Sequence, residues 1–233
     1  LHAPRSGQVL LDAEDISKLS GKALGRRIGL LAQSPSAPHD MTVEELVRLG
    51  RYPHQAMLQP WSPGDDAAVA AAMAGTGVQT MRHRRIGSLS GGQLQRAWIA
   101  MVLAQETDTI CLDEPVNHLD MAHQLDCLEL VTQLNREQGR TIVLVLHDLN
   151  LAARYADQMV FVADGKVRER GAPEAMMRSE LIAEVFNVDA EIITDPVHRR
   201  PIHRHRIAPP ARDVHSPDDH RSKCGSQGCG IQS

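Results

Sequence analysis

Two uninterrupted apolar runs, TICLD at 109–113 and TIVLVL at 141–146, break an otherwise mixed chain. Short aliphatic runs without polar alternation predict strands buried on both faces, as in a parallel sheet. Between them, Leu125, Leu128, Val131 and Leu134 recur at helical spacing and predict a helix around 121–134. Strand, helix and strand make a β-α-β unit, whose ligand edge lies at the carboxyl ends of its strands. Upstream, residues 6–16 (SGQVLLDAEDI) predict a strand after a turn, and 26–33 (RRIGLLAQ) another, closed by SPSAP. Thr42 and Glu45 form a capping box ahead of Val43, Leu46, Val47 and Leu49, with Gly50 as the stop. Residues 66–76 predict an alanine-rich helix and 88–92 a turn. Residues 93–105 predict a helix with Leu94, Ala97, Trp98, Met101 and Val102 on one face. Residues 158–171 predict a hairpin turning at Asp164-Gly165. Two short helical segments then reach Phe186. Periodicity stops at His198, and the Pro-, His-, Arg- and Asp-rich end predicts a disordered tail over 198–233.

Composition narrows the possibilities. The 233 residues suit one large domain with appendages, and 3% aromatic content requires an aliphatic core. A net charge of -4 argues against a broad nucleic-acid-binding field. The longest apolar runs, 97–104 and 142–146, fall well short of the ~20 residues of a membrane helix. The N-terminus has no basic-then-apolar signal pattern. Four scattered cysteines give no disulfide framework, which points to a reducing cytoplasm. The first residue is Leu1 rather than Met, so the chain is expected to lack its true beginning.

Candidate chemistry gathers at the strand ends. Asp113 and Glu114 close the first apolar run, where one carboxylate can hold Mg²⁺ and the next can orient an attacking water. His147 closes the second run and can donate to a phosphate; Asp148 after it is a good N-cap. Gln33 ends a third strand, within reach of a metal or a water. Ser90-Gly91-Gly92 opens a helix, a setting of backbone N–H groups that suits an anion. Each feature alone has a plain structural explanation. Yet no G-x-x-x-x-G-K-[ST] phosphate loop occurs anywhere in the sequence. SGKALG at 20–25 lacks the leading glycine and the following hydroxyl, so it is not one.

The ordered set LSGGQLQR, amphipathic helix, TICLDEP, NHLD and a strand ending in HD resembles the ATP-binding-cassette ATPases over roughly residues 6–188. The resemblance implies an α/β fold: a cassette core with a mostly parallel sheet, a helical subdomain at about 36–105 and a remnant of an antiparallel β-subdomain. The cassette domain would span 1–197, ahead of the disordered tail. By resemblance, Leu89 to Gln93 match the family signature, with Ser90, Gly91, Gly92 and Gln93 on a partner's nucleotide. Asp113 matches the Mg²⁺ residue, Glu114 the catalytic base, Asp120 the D-loop, His147 the switch histidine, and Gln33 the Q-loop residue, also near the metal. ATP and Mg²⁺ are the implied cofactors. The implied partners are a second cassette packed head to tail, transmembrane permease subunits and, indirectly, an external substrate-binding protein. No nucleic acid is implied, and the chain would sit peripherally on the cytoplasmic face of the membrane.

RLGRYPHQ (48–55), LDMAHQ (119–124) and LVLHDLNLAARYAD (144–157) look like the importer ATPases for iron-siderophore, haem and cobalamin, siderophore first. Two departures stand out. The phosphate loop would lie upstream of Leu1, so the expected chain is a cassette without its first segment. PVNHLD carries Val116, Asn117 and His118 where relatives have small or hydroxyl residues, which implies altered subunit contacts. The competing readings are a truncated cassette that cannot bind ATP alone and a soluble non-transport cassette ATPase. The latter is disfavoured because only 34–88 intervene before the signature, without heptads, and only one signature is present. In the tail, His198, His203, His205, His215, His220, Cys224 and Cys229 raise a Zn²⁺ or Cu⁺ site, but their irregular spacing favours a solvated tail.

Overall fold

The structure, a computed structural model, describes residues 4, 6–55 and 60–205. It opens on a hairpin of β1 (Leu10–Leu11) and β2 (Glu14–Asp15). The single strand expected over 6–16 is thus split. Asp12 and Ala13 both take left-handed backbone, φ +49° and +65°, the geometry of a two-residue hairpin turn. No glycine signals that turn in the sequence. Arg27 holds it instead, binding Glu14 at 2.5 Å, Asp12 at 2.9 Å and the Leu11 carbonyl at 3.0 Å.

α1 (Gly21–Gly25) follows, N-capped by Ser20. Its Lys22 donates to the Gln55 carbonyl at 2.6 Å and lies 4.9 Å from the centre of the Tyr52 ring. SGKALG is therefore a structural helix whose lysine is already engaged. β3 (Ile28–Leu31) comes next, then three helices that pack together: α2 (Val43–Leu49), α3 (Pro63–Gly75) and α4 (Gly91–Leu103). The Thr42–Glu45 capping box forms as expected at α2. α3 begins three residues before the expected 66, because Ser62 and Asp65 make a second capping box. Pro63 is tolerated at the first helical position, where its missing N–H has no partner to lose.

β4 (Thr109–Asp113), α5 (Met121–Gln138) and β5 (Thr141–Val145) form the expected β-α-β unit. The parallel sheet runs β3-β4-β5, with Leu31 opposite Leu112 and Leu112 opposite Leu144. One face carries Leu31, Ile110 and Leu112 into the main core with α2–α5. Gly29 allows that packing, since a Cβ there would lie 2.6 Å from Val102 Cγ1. The other face corrects the expectation of double burial: Leu30 and Val143 are each 51% exposed.

α6 (Leu149–Tyr155) precedes the hairpin β6 (Met159–Ala163) and β7 (Lys166–Gly171), which turns at Asp164-Gly165 as expected. α7 (Pro173–Met176) and α8 (Ser179–Phe186) pack on it in a second core, where Phe161 meets Phe186 edge-on at 5.1 Å. The last hairpin pairs β8 (Ala190–Thr194) with β9 (Pro201–His205). Residues 201–205 are thus ordered strand rather than the start of a disordered tail. Asn150 supplies the tether: its side chain accepts from the His203 N–H at 2.8 Å and donates to the His203 carbonyl at 3.3 Å. His215, His220, Cys224 and Cys229 lie outside the described residues. His198 is engaged by Asp195 at 2.8 Å.

Candidate functional site

β3, β4 and β5 end in phase at one edge of the sheet. Two residues past the aligned Leu31 and Leu112 come Gln33 and Glu114; three past Leu144 comes His147. The three side chains meet. Gln33 Nε2 donates to Glu114 Oε2 at 2.5 Å, and His147 Nε2 lies 2.6 Å from Glu114 Oε1. Asn117 Nδ2 donates to the same Oε2. The Glu114 side chain is 12% exposed and His147 69%, so the carboxylate sits at the floor and the imidazole at the rim. Glu114 has left-handed backbone, φ +51°, a conformation a non-glycine residue adopts only when its surroundings enforce it.

The side chain of Asp113, one residue earlier, has no hydrogen-bond or ion-pair partner among the described residues. The two neighbouring acids therefore differ: Glu114 is claimed by three donors, while both Asp113 oxygens remain available to a cation. Gln33 keeps its carbonyl oxygen after donating to Glu114. His147 is placed by Asp148, which caps α6 by accepting from Asn150 N at 2.8 Å and Leu151 N at 3.0 Å. Behind His147 a cleft of about 420 Å³ runs along Asn150, Phe186, Val188 and His203.

The signature segment is built separately. α4 starts at Gly91 rather than at 93, because Ser90 and Gln93 cap it reciprocally. Ser90 Oγ accepts from Gln93 N at 3.3 Å, and Gln93 Oε1 accepts from Ser90 N at 3.2 Å. The capping box consumes both side chains, and the N–H groups of Gly91 and Gly92 are left without intrahelical acceptors at the positive end of the helix dipole. Gly92 lies against α5: a Cβ there would come within 2.0 Å of His123 Cδ2. Asp120 N-caps α5 through His123 N at 2.9 Å and binds the His123 ring at 2.7 Å. These contacts hold the Asp120 carboxyl below its usual range, through the backbone N–H first and the ring second. Neither Asp120 nor Ser90–Gln93 shares a hydrogen bond with the Glu114 cluster. Two further participants are Asn117, which in the sequence stands out only as a departure and reaches Glu114 through their shared turn, and His123, which meets Gly92 only once α4 and α5 pack.

A parallel sheet with carboxylates, a histidine and a glutamine converging at its carboxyl edge, flanked by a glycine-opened helix, defines a nucleotide-binding ATPase. The chain belongs to the ABC transporter family, whose description matches residues 1–117. Members of this family hydrolyse ATP in a reaction coupled to transport. Among its relatives is "Ferric enterobactin transport ATP-binding protein FepC" of Escherichia coli (strain K12), 48% identical over 202 residues, 87% of this chain and 74% of that one. "Probable siderophore transport system ATP-binding protein YusV" of Bacillus subtilis (strain 168) is 47% identical over the same shares. A dimeric bacterial ABC transporter cassette, MJ0796, superposes with a TM-score of 0.62 at 26% identity, covering 73% of this chain and 75% of that one.

Proposed function

We propose that this chain is the ATP-binding subunit that drives import of a ferric siderophore through a membrane permease. The convergence of Gln33, Glu114 and His147 on one sheet edge carries this reading, and the names of FepC and YusV supply the substrate class. The subunit acts as a head-to-tail pair, as the dimeric MJ0796 cassette suggests. It sits peripherally on the cytoplasmic face, and no helix among the described residues is long and apolar enough to cross a membrane. An external binding protein delivers the substrate to the permease.

The donor set fits Mg²⁺. A free strand-end carboxylate on Asp113 and the Gln33 carbonyl are hard oxygens, few enough to leave the remaining positions to water and phosphate. When bound, Mg²⁺ neutralises charge on the terminal phosphates of ATP. The chain's own residues do the rest. Glu114 holds the attacking water through its carboxylate and takes up its proton. His147 orients Glu114 through its Nε2–H and, on releasing the carboxylate, donates that N–H from the rim toward the terminal phosphate. Gln33 releases Glu114 Oε2 as water enters. Ser90, Gly91 and Gly92, with Gln93 and Asp120 shaping the surface around them, close on the nucleotide held by the partner cassette.

Gln33 also links the site to the permease. Helix α2 and the short turn after it leave Leu49 50% and Tyr52 67% exposed, an apolar surface suited to a short permease helix. Crosslinks from Met41 or Tyr52 to the permease are expected; crosslinks from the Asp164-Gly165 hairpin alone would contradict this docking. The catalytic test is Glu114→Gln in the complete protein. Hydrolysis should fall ~10²–10⁴-fold, the range for a positioned base, with ATP binding retained. Near-normal phosphate release would remove Glu114 from the role.

A further inference from the structure

We infer that Asn117 is a positioning residue for the Glu114 carboxylate, an inference that rests on reading Glu114 as the base. The strand ends in a tight turn, E-P-V-N. Its first residue is Glu114 and its fourth Asn117, closed by Asn117 N donating to the Glu114 carbonyl at 3.2 Å. Pro115 occupies the second position, where its fixed φ favours a turn. The turn folds the Asn117 side chain back onto the residue that opens it, and Asn117 Nδ2 donates to Glu114 Oε2.

The other two donors on Glu114 are of a different kind. Gln33 and His147 reach it from separate strands, across 81 and 33 residues of sequence. Gln33 shares Oε2 with Asn117, and a carboxylate oxygen has two lone pairs. For water to bind Oε2, one of the two amides must leave. Gln33 stands on a loop that leads away from the sheet, whereas Asn117 is locked into Glu114's own turn. Asn117 therefore stays and keeps the carboxylate pointed at the water while Gln33 gives way. The left-handed backbone of Glu114 adds to the need, because a strained residue requires local contacts to hold its side chain in one place.

The test uses the complete protein with Asn117→Leu, which keeps the size and removes the donor, and Asn117→Ser, which restores a shorter donor. Each is made alone and with Glu114→Gln. Steady-state ATPase rates, ATP affinity and thermal unfolding are measured. Asn117→Leu should lower kcat roughly 10–100-fold, the equivalent of one hydrogen bond to a charged group, with KM and ATP affinity within about twofold of wild type. Asn117→Ser should recover part of the rate. In the Glu114→Gln background, Asn117→Leu should have no further effect. A near-normal kcat in Asn117→Leu while Glu114→Gln is inactive would overturn the role of Asn117 alone. A further loss of rate in the double variant would also overturn it. High activity in Glu114→Gln would instead bring down the reading of Glu114 itself, and this proposal with it. Should Asn117→Leu fold poorly, Asn117→Ala decides by the same criteria.

Discussion

Gly92 shows how one residue can satisfy two demands. In the first turn of α4 its N–H has no intrahelical acceptor, and its bare Cα also makes room for the His123 ring. A methyl there would sit 2.0 Å from Cδ2 and 2.8 Å from Cγ. The ring is held by Asp120 and cannot swing aside without losing that bond. Gly92→Ala is therefore expected to destabilise the protein by ~1–3 kcal/mol, the cost of an overpacked contact, and to lower its rate of hydrolysis. His123→Ala added to it should restore most of the rate by making space. If the double variant is as impaired as the single, crowding of His123 is not the cause. The Gly-Gly turn was legible in the sequence as the start of a helix. The packing reason was not, because His123 lies far along the chain and reaches Gly92 only once α4 and α5 pack. Asn117 was hidden in the same way. In PVNHLD it reads as a subunit contact, and only the turn at Pro115 shows that it faces back toward Glu114.

At the scale of elements, one buried arginine ties the helical unit together. Arg51, at the end of α2, donates to Asp65 at 2.9 Å, to the Ala104 carbonyl at 2.7 Å and to Glu106 at 2.6 Å. Its side chain and that of Asp65 are 8% and 7% exposed, so α2, α3 and the end of α4 meet at a desolvated ion pair. The Ser62 hydroxyl, and then Arg51, hold the Asp65 carboxyl well below the usual carboxylate range. A depressed folded-state pKa stabilises the protein above the unfolded value, near pH 4, and that contribution fades as pH falls through the folded value. Asp65→Asn is expected to cost about 1.5–3 kcal/mol at pH 7, the scale of hydrogen bonds to a charged group, since Arg51 loses its buried counter-charge but keeps Glu106 and the Ala104 carbonyl. In urea unfolding followed by circular dichroism, its gap from wild type should narrow as pH drops from 5 to 3. A gap independent of pH would show that the pair does not titrate this way. The start of α2 was legible because Thr42 and Glu45 precede an apolar stripe. The start of α3 was not, because Ser-Pro-Gly reads as a loop until Asp65 is seen to complete the cap.

For the whole molecule, the parallel β4 and β5 were legible from two apolar runs and the helix between them, whereas the place of β3 beside β4 was not. Their exposure was not, because an uninterrupted run looks the same whether one face is covered or both. Leu30, Val143 and Val145 lie exposed on one face, and Val160, Val162 and Val167 are exposed on the β6-β7 hairpin, apolar surface that favours association. The sequence also carries no phosphate-cradling loop to complement Asp113 and Glu114. A polypeptide of these 233 residues is therefore expected to release phosphate from Mg-ATP far more slowly than a cassette that carries such a loop. It should also self-associate more in analytical ultracentrifugation. Equal turnover by the two forms would show that the described residues suffice for catalysis.

The in-phase strand ends have a consequence in time as well as in space. Glu114 follows Gln33 by 81 residues, and His147 follows Glu114 by another 33. At the usual pace of synthesis, roughly 5–20 residues per second, on the order of ten seconds separate the first of these side chains from the last. Meanwhile α2, α3 and α4, which lie close together along the chain, have their mutual contacts to make. β3 must wait beside them for strands not yet made, its pairing deferred until β4 emerges. The cluster of Gln33, Glu114 and His147 can therefore close only after residue 147 is made, and a ribosome that stalls before it leaves Glu114 without its imidazole.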